Sequence, residues 1–467
     1  MDIPTDLQAF KDSIDQIIDD FQIEADVNGL IQQLQTLAVS VIEPLIASVV
    51  QALLHHPDFL ATIKPLAAKS ALRFKGFKPT SIRLISGQAI SIDSPYFVKA
   101  PPQVRRGRKG KRRKPKNGCH PGLAYLGLID RASGILVSQS VQAALLCPSF
   151  EVARKSLSSF GIDMNIKTIQ RLCQAVGEKA IEERHRIALS EADGVEGRTL
   201  LVCIDGGRLR ERRAKRGRRP KEQKRQGYHT DWREPTQFVI EWLDAEGEKC
   251  RQTLPFYDAT LKDIDAAFEI LEAHLRQIGA PKADLVIFCA DGDRKYWKRF
   301  PSLAKRLGLN AHYEIIDYTH AKQNLALVAD NLPKKLGDKK LAEILKGWKD
   351  LLWQGDLIEI VRQIRHFIKS KAKRDKALKK FRGYFLRNYR RMQYAAFREL
   401  NLPTGSGCVE SAIRRVINLR LKAPGTFWKR ETAEVMLFLR STLLCGRWDI
   451  MLKNLLLIGR GQFHACH

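Results

Sequence analysis

No two of the nine cysteines stand in a C-x-x-C spacing. Their scatter indicates neither a thiolate zinc site nor a disulfide framework, and a reducing cytoplasm fits. Acids are the minority charge, 51 Asp plus Glu against 80 Lys plus Arg. The net of +29 points to a polyanion such as DNA and to binding that weakens steeply with salt. The apolar run from Leu37 to Leu54 is interrupted at Glu43-Pro44 and falls short of the roughly 20 residues that a membrane span needs. It reads as a core or oligomerising helix, with no membrane partner. The acidic N-terminus has no signal-peptide pattern. Hydrophobic residues make up 44% of the 467, which is enough to build several packed units.

Two apolar runs end in an acid followed by glycine. Thr199 to Ile204 leads into Asp205-Gly206-Gly207, and Leu285 to Ala290 leads into Asp291-Gly292-Asp293. Continuous apolar runs are the signature of strands buried on both faces, and open α/β sheets carry their sites just past the strand ends. Asp205 and Asp291 are therefore expected side by side.

A third acid follows Leu402-Pro-Thr-Gly-Ser-Gly, where proline and two glycines break the chain. Val409, Ile413, Val416 and Ile417 then recur on one helical face. Glu410 falls in the first turn, where the positive end of the helix dipole favours an ionised carboxylate. Arg414, Arg415, Arg420 and Lys422 surround it in sequence. Two Asp and one Glu in a basic setting suit hard divalent ions, Mg²⁺ with Mn²⁺ as substitute. Two such ions about 3.5–4 Å apart can drive in-line phosphodiester displacement.

Taken in order, residues 5 to about 72 are helical by period, with Leu7, Phe10, Ile14, Ile17, Ile18 and Phe21 recurring at three and four. Thr80 to Val98 alternates as a β-hairpin. A basic run from Arg105 to Lys116 follows, suited to a phosphate backbone. Residues 138 to 186 have the outline of a helix-turn-helix: Ser149 opens one helix, Phe160-Gly161 ends it, and Asn165 caps the next. In that motif the start of the second helix enters the major groove, which makes Lys167, Thr168, Gln170 and Arg171 candidate DNA contacts. Arg208 to Arg225 is a second basic insertion, starting three residues after Asp205; Arg208, Arg212 and Arg213 are candidates there. Gln237 to Leu243 and Arg251 to Phe256 read as strands, Ile264 to Ile278 as a helix, Arg299 to Leu307 as a helix and His312 to Ile316 as a strand. Leu341 to Trp353 and Leu357 to Ile368 carry helical periods, as does Ala433 to Leu444. The terminal His464-Ala-Cys466-His467 reads as a tail.

Several of these motifs together resemble a known family. Arg391-Met392-x-Tyr394-x-x-Phe397, Leu402-Pro-x-Gly-Ser-Gly-x-Val-Glu-Ser-Ala, Asn418-x-Arg420-Leu-Lys422 and Gly446-Arg-Trp448-Asp look like bacterial insertion-sequence transposases of the ISKra group. Asp291-Gly-Asp-x-x-x-Trp297 and Asp317-Tyr-Thr-His320-Ala-x-x-Asn324-Leu look like that family's catalytic domain. The resemblance implies an RNase H-like DDE transposase with Asp205, Asp291 and Glu410 as the acid triad. It also implies that Asp317 and His320 form the D-x-x-H signature shared with Mutator-like elements. Arg414, Arg420 and Lys422 would then contact DNA.

The expected architecture is α/β: an RNase H-like catalytic domain with an all-helical insertion, preceded by helical and helix-turn-helix regions. The expected boundaries are an N-terminal helical region 1–75, a hairpin and basic linker 76–135, a helix-turn-helix region 136–195, catalytic parts 196–325 and 401–467, and the insertion 326–400. The expected protein is a cytoplasmic, nucleoid-associated bacterial transposase. It would bind terminal inverted repeats and target DNA as a homo-oligomer, and cleave and join DNA with two Mg²⁺ ions. A metal-dependent nuclease without strand transfer and a domesticated DNA-binding regulator are the alternatives.

Overall fold

A computed structural model describes residues 10–19, 27–99, 118–186, 194–218 and 226–459. The basic run Arg105–Lys116, the ends of the first helical pattern at Leu7 and Phe21, and the tail from His464 lie outside the described residues. So do residues 219–225 of the second basic insertion. The chain divides into two compact units, residues 1–181 with 449–467, and residues 182–448. The C-terminal segment from Asp449 thus groups with the N-terminal unit rather than with the expected catalytic residues.

In the first unit the helix Val27–His55 runs without a break through Pro44, which corrects the expected interruption. Proline removes one helical N–H, and Ser40, whose carbonyl would have taken that bond, faces solvent. The helix is therefore long and apolar enough to cross a membrane by length and composition. Its inner face packs on a hairpin of β1 (Leu72–Ile82) and β2 (Ile90–Lys99), around Ala47, Leu54, Ile82, Leu84 and Ile92. Glu43 is buried on that face, where its carboxylate accepts from the amides of Ile85 and Ser86 and from the Ser86 hydroxyl at 2.6 Å. The outer face leaves Val27, Ile31, Leu34, Val41, Leu45, Val49 and Leu53 exposed.

Further along this unit Ser149 caps the helix Phe150–Ser158 through Val152 N–H, and Asn165 caps Ile166–Glu182 through Thr168 N–H at 2.8 Å. Gly161, with φ at +75°, makes the turn between them. Two helices joined by a short turn are present where the sequence indicates them.

The second unit is built on a five-stranded mixed sheet. Its members are β3 (Thr199–Gly206), β6 (Thr236–Leu243), β7 (Phe256–Thr260), β8 (Leu285–Ala290) and β9 (His312–Ile316), in the order β7-β6-β3-β8-β9. β3, β6 and β7 form an antiparallel meander, whereas β8 and β9 join parallel to β3. The strand expected at Arg251–Phe256 lies further on: β7 begins at Phe256, and 251–253 is a turn closed by Thr253 N–H on Cys250 C=O. Pro255 has no N–H for a ladder, and Leu254 is exposed; the apolar signal there belongs to the strand's approach.

Between β3 and β6 stands a hairpin absent from the sequence reading, β4 (Leu209–Ala214) paired with β5 (Tyr228–Arg233). It occupies part of the second basic insertion, Arg208 to Arg225. Helices 338–354, 357–367 and 371–381 follow β9 before the chain returns to the sheet.

The buried Glu43 generates a stability prediction. Glu43→Ala strands two amides and a hydroxyl, so chemical denaturation should show a loss of roughly 2–4 kcal/mol. An unchanged midpoint would mean that the carboxylate does not anchor the helix.

Candidate active site

The parallel ladder aligns Ile204 of β3 with Ala290 of β8, and Ala290 with Ile316 of β9. The next residue on each strand is an aspartate, so Asp205, Asp291 and Asp317 form a row along one edge of the sheet. Sequence reasoning paired the first two; the third takes a different part.

The glycines after the acids are there for close packing. A Cβ on Gly206 would overlap the Glu234 carboxylate, one on Gly207 would overlap Ile417, and one on Gly292 would overlap the Tyr384 ring. Asp205 accepts a 2.7 Å bond from Gly206 N–H, and Asp291 accepts one of 2.9 Å from Asp293 N–H. Trp297 Nε1 donates to the Asp291 carbonyl at 2.6 Å, which explains the Asp-Gly-Asp-x-x-x-Trp spacing.

Asp317 is only 2% exposed. One of its oxygens accepts from His320 N–H at 2.9 Å, capping the helix Tyr318–Ala329. The other accepts from Ser406 N–H and from the Ser406 hydroxyl at 2.7 Å. Tyr318 N–H reaches the Thr404 carbonyl at 2.9 Å. These bonds bind the loop before Glu410 to the end of β9, and the short helix Gly407–Ile413 starts from there. The neighbouring thiols Cys289 and Cys408, and then burial, raise the Cys203 thiol of β3 well above its ordinary range. His320 Nε2 then stands 3.6 Å from Glu410 Oε1.

Electrostatically the row is tense. Burial, reinforced by the charges of Asp291 and Glu410, pushes the Asp205 carboxyl up to about 6, against the pull of Gly206 N–H and His320. Burial and the Asp293 charge raise Asp291 as well. Tyr296, fully buried with its hydroxyl unpaired, is raised by burial and then by Asp205 and Asp291. Tyr384 is raised for the same reasons, burial first and Asp291 next. Tyr384 is one of the aromatics that the sequence offers for stacking near the cut or, more readily, for the core; Tyr296 and Ser406 carry no such signal, and only their position in the fold marks them.

Among the described residues, no three His, Cys, Asp or Glu side chains lie close enough to hold a metal ion together. The chemistry of the two aspartates nevertheless fits a cation, because crowded carboxylates with raised proton affinity are relieved by positive charge. Glu410 is half exposed beside His320 and would complete a ligand set only by moving its side chain.

The expected DNA contacts divide by exposure. Lys167, Gln170, Arg208, Arg212, Arg414 and Lys422 are exposed. Thr168 is buried, because the residue whose amide is capped by Asn165 turns its side chain to the core. Arg171 is paired to Asp130 at 2.7 Å, and Arg213 to Asp231 at 2.6 Å. Arg420 is buried with its guanidinium over the Trp428 ring. Thr168 and Arg420 thus have their side chains packed inside the protein in this structure.

The raised Asp205 gives a signed pH effect. Its folded pKa exceeds the ordinary 3.8, so ionising it costs stability; the cost is absent below the unfolded pKa and complete above the folded one. Without divalent ions, Asp205→Asn should stabilise the protein at pH 7.5 by about 1–3 kcal/mol. The gain should shrink by more than half at pH 4.5. Denaturation midpoints that fall equally at both pH values would contradict this.

No protein-family model matches the chain, and no curated protein matches it. Among solved structures, the chain matches a chain of the Drosophila P element transposase strand transfer complex, with a TM-score of 0.31 and 12% identity. The similarity covers 68% of this chain and 93% of that one.

Proposed function

We propose that the chain is a DNA transposase of the ISKra type that cleaves element ends and joins them to target DNA. The observation that carries this is the row of Asp205 and Asp291 at adjacent parallel strand ends, with Glu410 tied in beside His320 through Asp317 and Ser406. The sheet order, an antiparallel meander followed by two parallel strands, supports an RNase H-like catalytic fold, with the helices 338–381 as its insertion. Mg²⁺ or Mn²⁺, two ions at work, would be held by Asp205 and Asp291, with Glu410 swinging from His320 to join them. When bound, paired ions polarise an attacking water or 3′-hydroxyl and stabilise the leaving oxygen. His320 holds Glu410 in reach until then.

The exposed Arg208, Arg212, Arg414 and Lys422 supply phosphate contacts, which fix register without reading sequence. Lys167 and Gln170, at the start of the capped second helix, are the candidates for base contacts. Incubating the protein with element-end DNA and Mg²⁺ tests the reading. Asp291→Asn should abolish nicking and joining while DNA affinity stays at the wild-type level, because phosphates are gripped by Lys and Arg. Cleavage without joining would favour a nuclease. Specific binding without cleavage in either metal would favour a regulator.

The exposed residues Val27, Ile31, Leu34, Val41 and Leu45, with Ala38 between them, alternate four and three apart, the spacing of a coiled-coil seam. We read this face as the self-association surface of a cytoplasmic, nucleoid-associated protein, because Glu43 anchors the same helix to its own hairpin and glutamines 32, 33 and 35 flank the stripe. Sedimentation should show a homo-oligomer that the double variant Leu34→Glu, Leu45→Glu dissociates. A wild-type monomer, or flotation with lipid vesicles, would refute this.

A further inference from the structure

The hairpin β4–β5 sorts its charges by face. Register pairs Leu209 with Arg233, Glu211 with Asp231 and Arg213 with His229, which puts both acids on one face. There each is bridged, Glu211 to Arg233 and Asp231 to Arg213. The opposite face holds Arg210, Arg212, Ala214, Tyr228, Thr230 and Trp232, with no acid among them. The two faces have different partners.

On the acid-free face the aromatics line up. The Arg210 guanidinium lies 5.4 Å from the Trp232 ring centre and 4.7 Å from that of Phe427, and Tyr228 stands 5.7 Å from Phe427. Phe427 is held in place because the following residue, Trp428, exchanges backbone bonds with β4: its amide donates to Arg210 C=O at 3.0 Å, and its carbonyl accepts from Arg212 N–H at 2.8 Å. Trp232 is 58% exposed and Tyr228 45% exposed. Of the seven tryptophans, all described, Trp232 alone is exposed. Among the described residues Arg210 has no carboxylate partner.

We propose that this row is a stacking platform for an unpaired base of the DNA strand that leads away from the acids. The inference rests on the DNA-cleaving reading above and deepens it by naming single-stranded DNA as the ligand of this face. Flat faces alternating with a guanidinium suit bases of any sequence, and the same cations meet the flanking phosphates. The hairpin continues the β3–β6 pair, so Arg210 stands five residues past Asp205, roughly 16 Å at about 3.3 Å per residue. A strand lying on the acids can reach it within a few nucleotides.

Trp232 provides its own readout. Titrating the full chain with a short oligothymidylate should quench tryptophan emission, whereas an abasic oligonucleotide of equal length should not. Trp232→Ala should remove the quench and weaken single-strand binding about five- to a hundredfold, with duplex affinity unchanged. Because Trp232 is exposed, thermal melting should confirm an intact fold. Oligothymidylate binding without quenching, wild-type affinity in the variant, or no single-strand binding overturns the platform. Quenching by a protein that never cleaves end DNA would refute the proposed function and leave the platform standing; cleavage without quenching would do the reverse.

Discussion

Everything at the sheet edge depends on a carboxylate that water cannot reach. Burying an ionised aspartate is costly unless its oxygens are paired, and the chain satisfies Asp317 with His320 N–H on one side and both polar groups of Ser406 on the other. Those partners are 3 and 89 residues away in sequence. One side chain therefore sets the start of one helix and the approach to another. Glu410 lies one turn past Ser406, and His320 one turn past Asp317, so their meeting follows from where Asp317 must find its bonds.

Against that fixed frame, Asp205 and Asp291 are held in a state that the protein alone does not favour. Burial raises both, with the charges of Asp291 and Glu410 acting on Asp205 and that of Asp293 on Asp291, and the glycines beside them admit Glu234, Ile417 and the Tyr384 ring at contact distance. The packing that crowds the acids also shields them in part from water. A cation would relieve this tension, and the surrounding excess of Lys and Arg would bring a polyanion to the same edge. Stability and function pull in opposite directions at these two positions.

Much of this was legible in the sequence where burial and period coincide. The runs ending at Asp205 and Asp291 are apolar on both faces, and β3 and β8 lie within the sheet, so run length and strand match. The caps at Ser149 and Asn165 were readable because capping is local. The hairpin β4–β5 was not, since arginines on both faces of β4 hide its alternation behind a charge run. Pro44 was misread as a break because its effect depends on which side of the helix meets solvent. The role of Ser406 was not legible either, because its partner Asp317 lies 89 residues away on another element.

The most direct test of the central claim is Mn²⁺ binding followed by the paramagnetic signal of the bound ion, in the wild type and in the Asp205→Asn and Asp291→Asn variants. The account predicts tight binding in the wild type that either substitution removes, with the fold intact by circular dichroism. Equal Mn²⁺ binding in all three proteins would contradict it.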